Sequence, residues 1–293
     1  MAEPLFGRLM TAMVTPFDDQ GQIDHGAATE VARWLVQEQC NDALVINGTG
    51  GEAPTTSDAE KAELIGTVRK AIGPDVPIIA GIGTFNTAHS LELAAQATEA
   101  GADGLLVVTP YYSKPPQDSL LAHFTTIADA VDLPIVVYDI PGRSAVPVQE
   151  STLLKLAEHP RIVAVKDAKG DLASSGRVMA QTDLAYYSGE DNLTLPLLSM
   201  GGVGLIGTST HFTGAGVSEM ITAHADGDHA RALQLHRELE PVLTGVFATQ
   251  GCLLVKAGLA HKGMINNAVR LPLTVASKEQ SDVFCGLLDA AGL

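Results

Sequence analysis

The run Pro134-Ile135-Val136-Val137-Tyr138-Asp139, followed one helical stretch later by Ile162-Val163-Ala164-Val165-Lys166, decides the fold. Both segments are short, rich in β-branched residues and apolar almost throughout, as parallel strands covered by helices are. Outward from this pair the same unit recurs in both directions. Strands are predicted at Leu9–Val14, Ala43–Asn47, Pro77–Gly81, Gly104–Val108, Pro134–Asp139, Ile162–Lys166, Ala185–Ser188 and Gly204–Gly207. Amphipathic, alanine- and leucine-rich stretches such as Asp58–Ile72, Ser90–Ala100 and Ser119–Val131 lie between them, with apolar residues at helical spacing. Eight such units over about 225 residues predict a (β/α)8 TIM barrel. The competing open, doubly wound sheet is disfavoured. Its first strand would be followed by a glycine-rich phosphate turn, whereas here Thr15-Pro16-Phe17-Asp18 follows. Beyond the eighth strand only helical runs remain, at Asp228–Thr244, Phe247–His261 and Lys278–Ala291. The chain is therefore expected to comprise a catalytic barrel over residues 1–226 and a small C-terminal helical extension over 227–293, packed on the barrel without a linker.

Composition narrows the function. The chain carries 34 acidic residues against 18 basic ones, a formal charge of −16. Binding to phosphate backbones or anionic membranes requires clustered Lys and Arg, so neither nucleic acid nor a membrane surface is an expected partner. An acidic protein that handles an anionic substrate must concentrate positive charge locally, which directs attention to inward-facing Lys and Arg. The three cysteines, Cys40, Cys252 and Cys285, are widely spaced and form no CxxC pair. They read as buried, inert thiols in a reducing compartment. Residues Met1 to Met10 show no signal-peptide pattern, and no apolar run approaches the ~20 residues that span a bilayer, so a cytoplasmic location is expected. The nine histidines form no HExxH motif or ligand-spaced cluster, and no GxSxG elbow is present, so no metal site is expected.

In a barrel of this type, chemistry resides at the C-terminal ends of the strands. Lys166 closes the sixth strand. Strict alternation sends Val163 and Val165 outward and Ala164 and Lys166 inward, with the small Ala164 leaving room beneath the amine. A desolvated lysine loses basicity and becomes a nucleophile. The alternative, a strand-end lysine that reaches solvent, is weighed down by Tyr138, which ends the preceding strand and also points inward. A phenol beside a lysine can relay protons. Gly48-Thr49-Gly50-Gly51-Glu52 follows the second strand and offers successive N–H groups to an anion. Arg143 lies in the loop just past Tyr138, where a guanidinium can grip a carboxylate. Tyr111-Tyr112 follows the fourth strand. Adjacent loop aromatics rarely share one core, so one of them is expected to reach another subunit or the active site. Gly201-Gly202-Val203-Gly204 precedes the eighth strand, at the wrong end for a phosphate site, and reads as a turn.

Taken together, Gly48-Thr49-Gly50-Gly51-Glu52, Thr109-Pro110-Tyr111-Tyr112, Tyr138-Asp139-Ile140-Pro141-Gly142-Arg143 and Val165-Lys166-Asp167 resemble the dihydrodipicolinate synthase / N-acetylneuraminate lyase family, from about Leu9 to Arg270-Leu271-Pro272. The resemblance implies an enzyme that needs no external cofactor and condenses pyruvate with L-aspartate 4-semialdehyde on the route to lysine and diaminopimelate. It implies that Lys166 forms the pyruvyl imine and that Tyr138 relays protons, linked to Thr49 and to a Tyr112 from a neighbouring subunit of a homotetramer built from two tight dimers. The Thr49–Gly50 turn would hold the pyruvate carboxylate, Arg143 the carboxylate of the semialdehyde, and Ile206 would contribute to substrate binding.

The chain departs from the family pattern at two places. Gly50 stands where synthases usually carry a second threonine. It keeps the N–H but lacks a hydroxyl whose hydrogen bond to a carboxylate is worth ~1.5–3 kcal/mol. The positions matching the lysine-inhibition pocket of feedback-regulated relatives are Phe85, His89, Asp58 and Lys61, with Tyr111 retained. This set lacks the glutamate that pairs with a lysine ammonium, so insensitivity to L-lysine is expected. Two other readings remain open at this stage: a Schiff-base aldolase or dehydratase of a sugar-derived 2-oxo acid, and a non-catalytic paralogue that senses a small acid.

Overall fold

The computed structural model describes residues 3–293; Met1 and Ala2, at the start of the expected barrel span, lie outside the described residues. Eight parallel strands form one closed ring in sequence order: β1 (Leu9–Ala12), β2 (Ala43–Ile46), β3 (Ile78–Gly81), β4 (Gly104–Val108), β5 (Ile135–Asp139), β6 (Ile162–Asp167), β7 (Ala185–Ser188) and β8 (Gly204–Gly207). The TIM barrel expected from the strand rhythm is the fold observed. The helices of its outer layer are α1 (His25–Gln37), α2 (Asp58–Ile72), α3 (Thr87–Glu99), α4 (Gln117–Ala130), the single turn α5 (Pro141–Ser144), α6 (Glu150–Leu156), α7 (Leu172–Met179), α8 (Thr194–Ser199) and α9 (Thr210–Ala225). Three more follow: α10 (His229–Gly245), α11 (Gly251–His261) and α12 (Lys278–Ala291).

Local chemistry sets these boundaries. Ser57 caps α2 by accepting from Glu60 N–H, while the Glu60 carboxylate accepts from Ser57 N–H. The same reciprocal capping box, between Ser277 and Gln280, starts α12. Asp58 and Glu60 in the first turn of α2, and Arg69 and Lys70 in its last, complement the helix dipole.

Alternation along the strands divides the core in two. Met10, Val45, Ile79, Leu106, Val136, Ala164, Tyr187 and Ile206 fill the interior of the ring. Leu44, Ile78, Leu105, Val107, Ile135, Val137 and Val165 face the helices. The ring closes where β1 pairs with β8, Leu9 opposite Leu205 and Met10 opposite Ile206. There Gly204 meets the Arg8 main chain: a Cβ on Gly204 would stand 1.8 Å from the Arg8 carbonyl oxygen, so only glycine permits the closure.

Four expectations are corrected. Val163 does not face the helices. The register between β5 and β6 slips, Ile135 pairing with Ile162 but Val136 with Ala164. Val163 is thus the extra residue of a bulge and packs against the interior cluster. Alternation resumes past it, with Ala164 in the interior and Val165 against the helices. β1 ends at Ala12, two residues early, because Val14 N–H turns to the buried His211 Nε2 at 3.2 Å. α11 starts at Gly251 rather than Phe247, because the Gln250 side chain caps it by accepting from Cys252 N–H. Finally, only Cys252 is a fully buried thiol; Cys40 is exposed and Cys285 half-buried.

The helices after α9 share cores with the barrel. Leu235, Leu239 and Leu243 of α10 join Leu9, Leu205 and Val217 in one cluster. One polar contact ties this region to the strand ends. Lys256, in the middle of α11 and fully buried, donates to Glu52 Oε1 at 2.5 Å and to the Ala268 carbonyl at 2.8 Å. Its Nζ also lies 4.2 Å from the Phe17 ring centroid, while the Arg270 guanidinium lies 4.4 Å from the same ring. Arg270 N–H donates to Glu52 Oε2, and the Arg270 guanidinium pairs with Glu60. Removing one partner of such a buried pair strands the other charge at a cost of ~3–5 kcal/mol, whereas removing both is often nearly neutral. Lys256→Met should therefore lower stability by several kcal/mol in chemical denaturation, and adding Glu52→Gln to it should recover most of the loss. A single variant within ~1 kcal/mol of the parent would show that the pair carries little of the fold.

Candidate active site

Lys166 and Tyr138 are direct partners in the β5–β6 register, and Lys166 is likewise opposite Tyr187 on β7. All three side chains belong to the interior face. Lys166 is 4% exposed and Tyr138 is 5% exposed, and the Lys166 Nζ sits 4.5 Å from the Tyr138 ring centroid. Burial lowers the Lys166 amine from its ordinary value to about 8, because desolvation outweighs the pull of Asp191 and Glu190. Burial also raises the Tyr138 phenol to about 12, although Arg143 and the Thr49 side chain draw it the other way. The pair therefore holds a lysine that is readily neutral and a tyrosine that keeps its proton at neutral pH.

A cavity of about 350 Å³ opens over this pair, lined among others by Thr49, Gly50, Arg143, Glu190 and Thr208. The Gly48–Glu52 turn forms one side. Gly51 N–H and Glu52 N–H are used inside the turn, donating to the Gly48 and Thr49 carbonyls, and Thr15 Oγ1 fastens the Gly51 carbonyl at 2.7 Å. Among the described residues no acceptor faces Thr49 N–H or Gly50 N–H, which leaves those two amides for an anion on the cavity wall. Glu52 adopts a left-handed φ of +54°, a conformation disfavoured for a residue with a Cβ. Its carboxylate is held by Lys256 and Arg270, which fixes the turn from behind. A Cβ on Gly50 would come within 3.0 Å of the Ala12 carbonyl oxygen, so the backbone leaves little space for the usual threonine.

The remaining sequence-selected residues occupy distinct places. Arg143 is exposed on α5 and lines the cavity mouth. Ile206 is fully buried one layer down, in the interior cluster, and does not line the cavity. Tyr112 is 92% exposed and adopts a left-handed φ of +73°. It borders a second cavity of about 730 Å³ that adjoins the first through Thr49, Tyr138 and Arg143. Phe85, His89, Asp58, Lys61 and Tyr111 line that second cavity. The Phe85 ring packs edge-on against Tyr111 at 5.4 Å. His89 Nε2 lies 2.9 Å from Asp58 Oδ2, and Lys61 Nζ donates to the Thr56 carbonyl at 2.5 Å.

Residue-by-residue reading did not single out Glu190 and Asp191, just past the end of β7. Two adjacent acids after a barrel strand are a signal that was legible. Nor did it single out Lys256, a lone charge within the apolar run Gly251–Leu259. Asp191 is fully buried and accepts from Thr208 N–H, Ser209 N–H and the Ser209 hydroxyl. Cys252 lies on the cavity wall, but burial pushes its thiol up to about 12, which leaves it inert as a nucleophile. Lys169 points away from the site, 3.8 Å from Asp139 Oδ2. Among the described residues no group of three or more His, Cys, Asp or Glu is placed to hold a metal ion, and no helix is long and apolar enough to cross a membrane.

A TIM barrel with a desolvated lysine on its sixth strand, a neighbouring phenol and free amides for an anion is equipped to attack the carbonyl carbon of a small acid. Residues 5–291 match the dihydrodipicolinate synthetase family, and the chain belongs to that family. It is 58% identical to the 4-hydroxy-tetrahydrodipicolinate synthase of Cutibacterium acnes over the full length of both chains. The dihydrodipicolinate synthase of Cyanidioschyzon merolae, solved with lysine bound, superposes with a TM-score of 0.96 at 38% identity over 99% of each chain. The chloride-inhibited dihydrodipicolinate synthase of Acinetobacter baumannii, solved with pyruvate, gives 0.94 at 32% identity, covering 98% of this chain and 99% of the other.

The electrostatics of Lys166 are directly measurable. With a midpoint about 8, about one amine in ten is neutral at pH 7, against roughly one in three thousand for an ordinary lysine. An NMR pH titration of the lysine side-chain carbons should show one residue with a midpoint near 8 that is lost in Lys166→Ala. A Lys166 midpoint above 10 would mean that water reaches the amine freely.

Proposed function

We propose that this protein is a 4-hydroxy-tetrahydrodipicolinate synthase, condensing pyruvate with L-aspartate 4-semialdehyde. The observation that carries the proposal is the buried Lys166 amine, partly neutral at pH 7 and paired in register with Tyr138, opposite the unused amides of Thr49 and Gly50. The pyruvate carboxylate docks on those two amides, above the apolar floor to which Ile206 belongs. The docked acid presents its carbonyl carbon to Lys166 Nζ. Attack forms a carbinolamine, and Tyr138 donates a proton to the departing hydroxyl as the imine forms. The Tyr138 phenolate then takes a methyl proton to give an enamine, whose carbon attacks the aldehyde carbon of the second substrate while Tyr138 returns the proton to the aldehyde oxygen. That substrate's amine finally attacks the imine carbon, closing the ring and releasing Lys166. Arg143, at the mouth, holds the carboxylate of the semialdehyde.

Tyr112 fits a role across an interface, because its largely exposed ring sits on a left-handed backbone at the border of the second cavity. The assembly proposed is a homotetramer of two tight dimers in which Tyr112 completes the proton relay of its neighbour. The barrel of residues 1–226, with 227–293 packed on it, is the unit so assembled, acting in the cytoplasm.

Pyruvate with borohydride should add a reduced pyruvyl group at Lys166, read by peptide mass spectrometry. Lys166→Ala should abolish the label, and label found on Lys169 or elsewhere would sink the assignment. Tyr138→Phe should keep the fold and lower turnover with aspartate semialdehyde by ~10²–10⁴; a change under about threefold would leave Tyr138 a packing residue.

L-lysine should inhibit weakly or not at all. In the second cavity Asp58 is already engaged by His89 and lies 3.9 Å from Lys61, so no free carboxylate is left there for an incoming ammonium. The coupled assay at saturating pyruvate checks this directly. Half-inhibition below about 1 mM, near −4 kcal/mol of binding, would show a functional inhibitory site.

A further inference from the structure

The active-site cavity has three charged residues on its wall: Lys166, Arg143 and Glu190. Lys166 is accounted for by the chemistry above, and Arg143 by the carboxylate of the second substrate. Glu190 is not. It is the sole carboxylate lining this cavity among the described residues. Its backbone is fixed at the end of β7, where Ser188 Oγ donates to the Glu190 carbonyl at 2.6 Å and Leu193 N–H donates to the same oxygen at 3.1 Å. Its carboxylate, by contrast, takes part in no hydrogen bond or ion pair among the described residues, and neither does the Arg143 guanidinium. Neighbouring Asp191 shows the opposite pattern, with its carboxylate committed to Thr208 and Ser209.

A half-buried carboxylate without a partner is costly, and the cost is relieved when a cation docks against it. Burial and Asp191 raise the Glu190 carboxyl, while Lys166 and Arg143 act to lower it. An unpaired anion and an unpaired cation on one wall, above a nucleophile, match a ligand that carries both charges on one carbon. An α-amino acid is such a ligand; a plain 2-oxo acid or a hydroxyaldehyde is not.

We propose that Glu190 receives the ammonium group of the second substrate, so that Arg143 and Glu190 together select a zwitterionic α-amino-acid aldehyde. This rests on the condensation reading above. The pair also orients the substrate. With its carboxylate on Arg143 and its ammonium on Glu190, the nitrogen is held in the cavity that contains the imine carbon, and passing one proton to the Glu190 carboxylate frees the lone pair for the attack that closes the ring. A carboxylate at this position further rejects anions that bring no compensating ammonium.

The test compares the parent enzyme with Glu190→Gln on two ligands: L-aspartate 4-semialdehyde as substrate, and succinic semialdehyde, the same aldehyde acid without the amine, as competitor. The KM for aspartate semialdehyde should rise tenfold or more in Glu190→Gln, while the inhibition constant of succinic semialdehyde stays within twofold or falls. An unchanged inhibition constant also shows that the variant is folded. A parallel rise in both constants would overturn the proposal, because Glu190 would then act only by shaping the wall or placing Arg143. An unchanged KM would overturn it equally. The condensation reading is checked separately in the same assay: a parent enzyme that turns over no aspartate semialdehyde fails that reading, and the role of Glu190 falls with it.

Discussion

Everything at this site depends on the closure of eight strands into one ring. Closure removes sheet edges and divides every strand into an inward and an outward face. It also excludes water from the inward face, and the chemistry of Lys166 follows from that exclusion. The same lysine on an open sheet edge would be solvated, charged and unreactive at neutral pH. Inside the ring, desolvation lowers the amine and raises the phenol beside it, so one packing decision leaves the amine readily neutral and the phenol protonated. Closure is in turn sterically delicate. It requires Gly204 to lie against the Arg8 carbonyl, where no other residue fits.

The barrel places the lysine, but the turn opposite it is held from outside the ring. Glu52 ends the Gly48–Glu52 turn in a left-handed conformation that its side chain would ordinarily oppose. Its carboxylate is gripped by Lys256 of α11 and by the Arg270 backbone. The Phe17 ring lies close to both cationic side chains and screens the pair from water. The C-terminal segments thereby hold the two amides of Thr49 and Gly50 on the cavity wall. Buried ion pairs add little net stability over an apolar packing of the same volume. What this pair supplies is a defined backbone geometry for the turn that presents the two free amides on the cavity wall.

Charge placement divides along the same lines. The chain is strongly acidic overall, yet its cavity presents Lys166 and Arg143 against the single carboxylate of Glu190. The second cavity, bordered by Tyr112, differs in character. There His89 bonds to Asp58, Lys61 donates to a backbone carbonyl and Phe85 meets Tyr111 edge-on, which leaves Arg143, shared with the first cavity, as the unpaired charged side chain among the described lining residues. A carboxylate that is already engaged offers little to an incoming cation, whereas free charges of both signs on one wall invite a ligand that carries both.

Much of this could be read directly from the chain. Strand period and helix period are local properties, so the eight units, and Lys166 and Tyr138 at matching strand ends, were legible. The Gly48–Glu52 motif was legible as a turn, because glycine content is also local. Other features were not. The bulge at Val163 depends on how β6 fits against β5, and β1 is shortened by a bond from His211, nearly two hundred positions away. Glu52 and Lys256 are separated by 204 residues, and no pattern within either segment marks them as partners. Which amides of the turn remain free, and that Glu190 and Arg143 line one cavity with neither paired, are facts of three-dimensional arrangement. Sequence by itself determined the repeating elements and the reactive residue types at their ends, because backbone periodicity and side-chain chemistry act over a few residues. Only the tertiary structure decided which charges are buried, paired or left open, because desolvation and Coulomb energies depend on distances between segments that the chain brings together by folding.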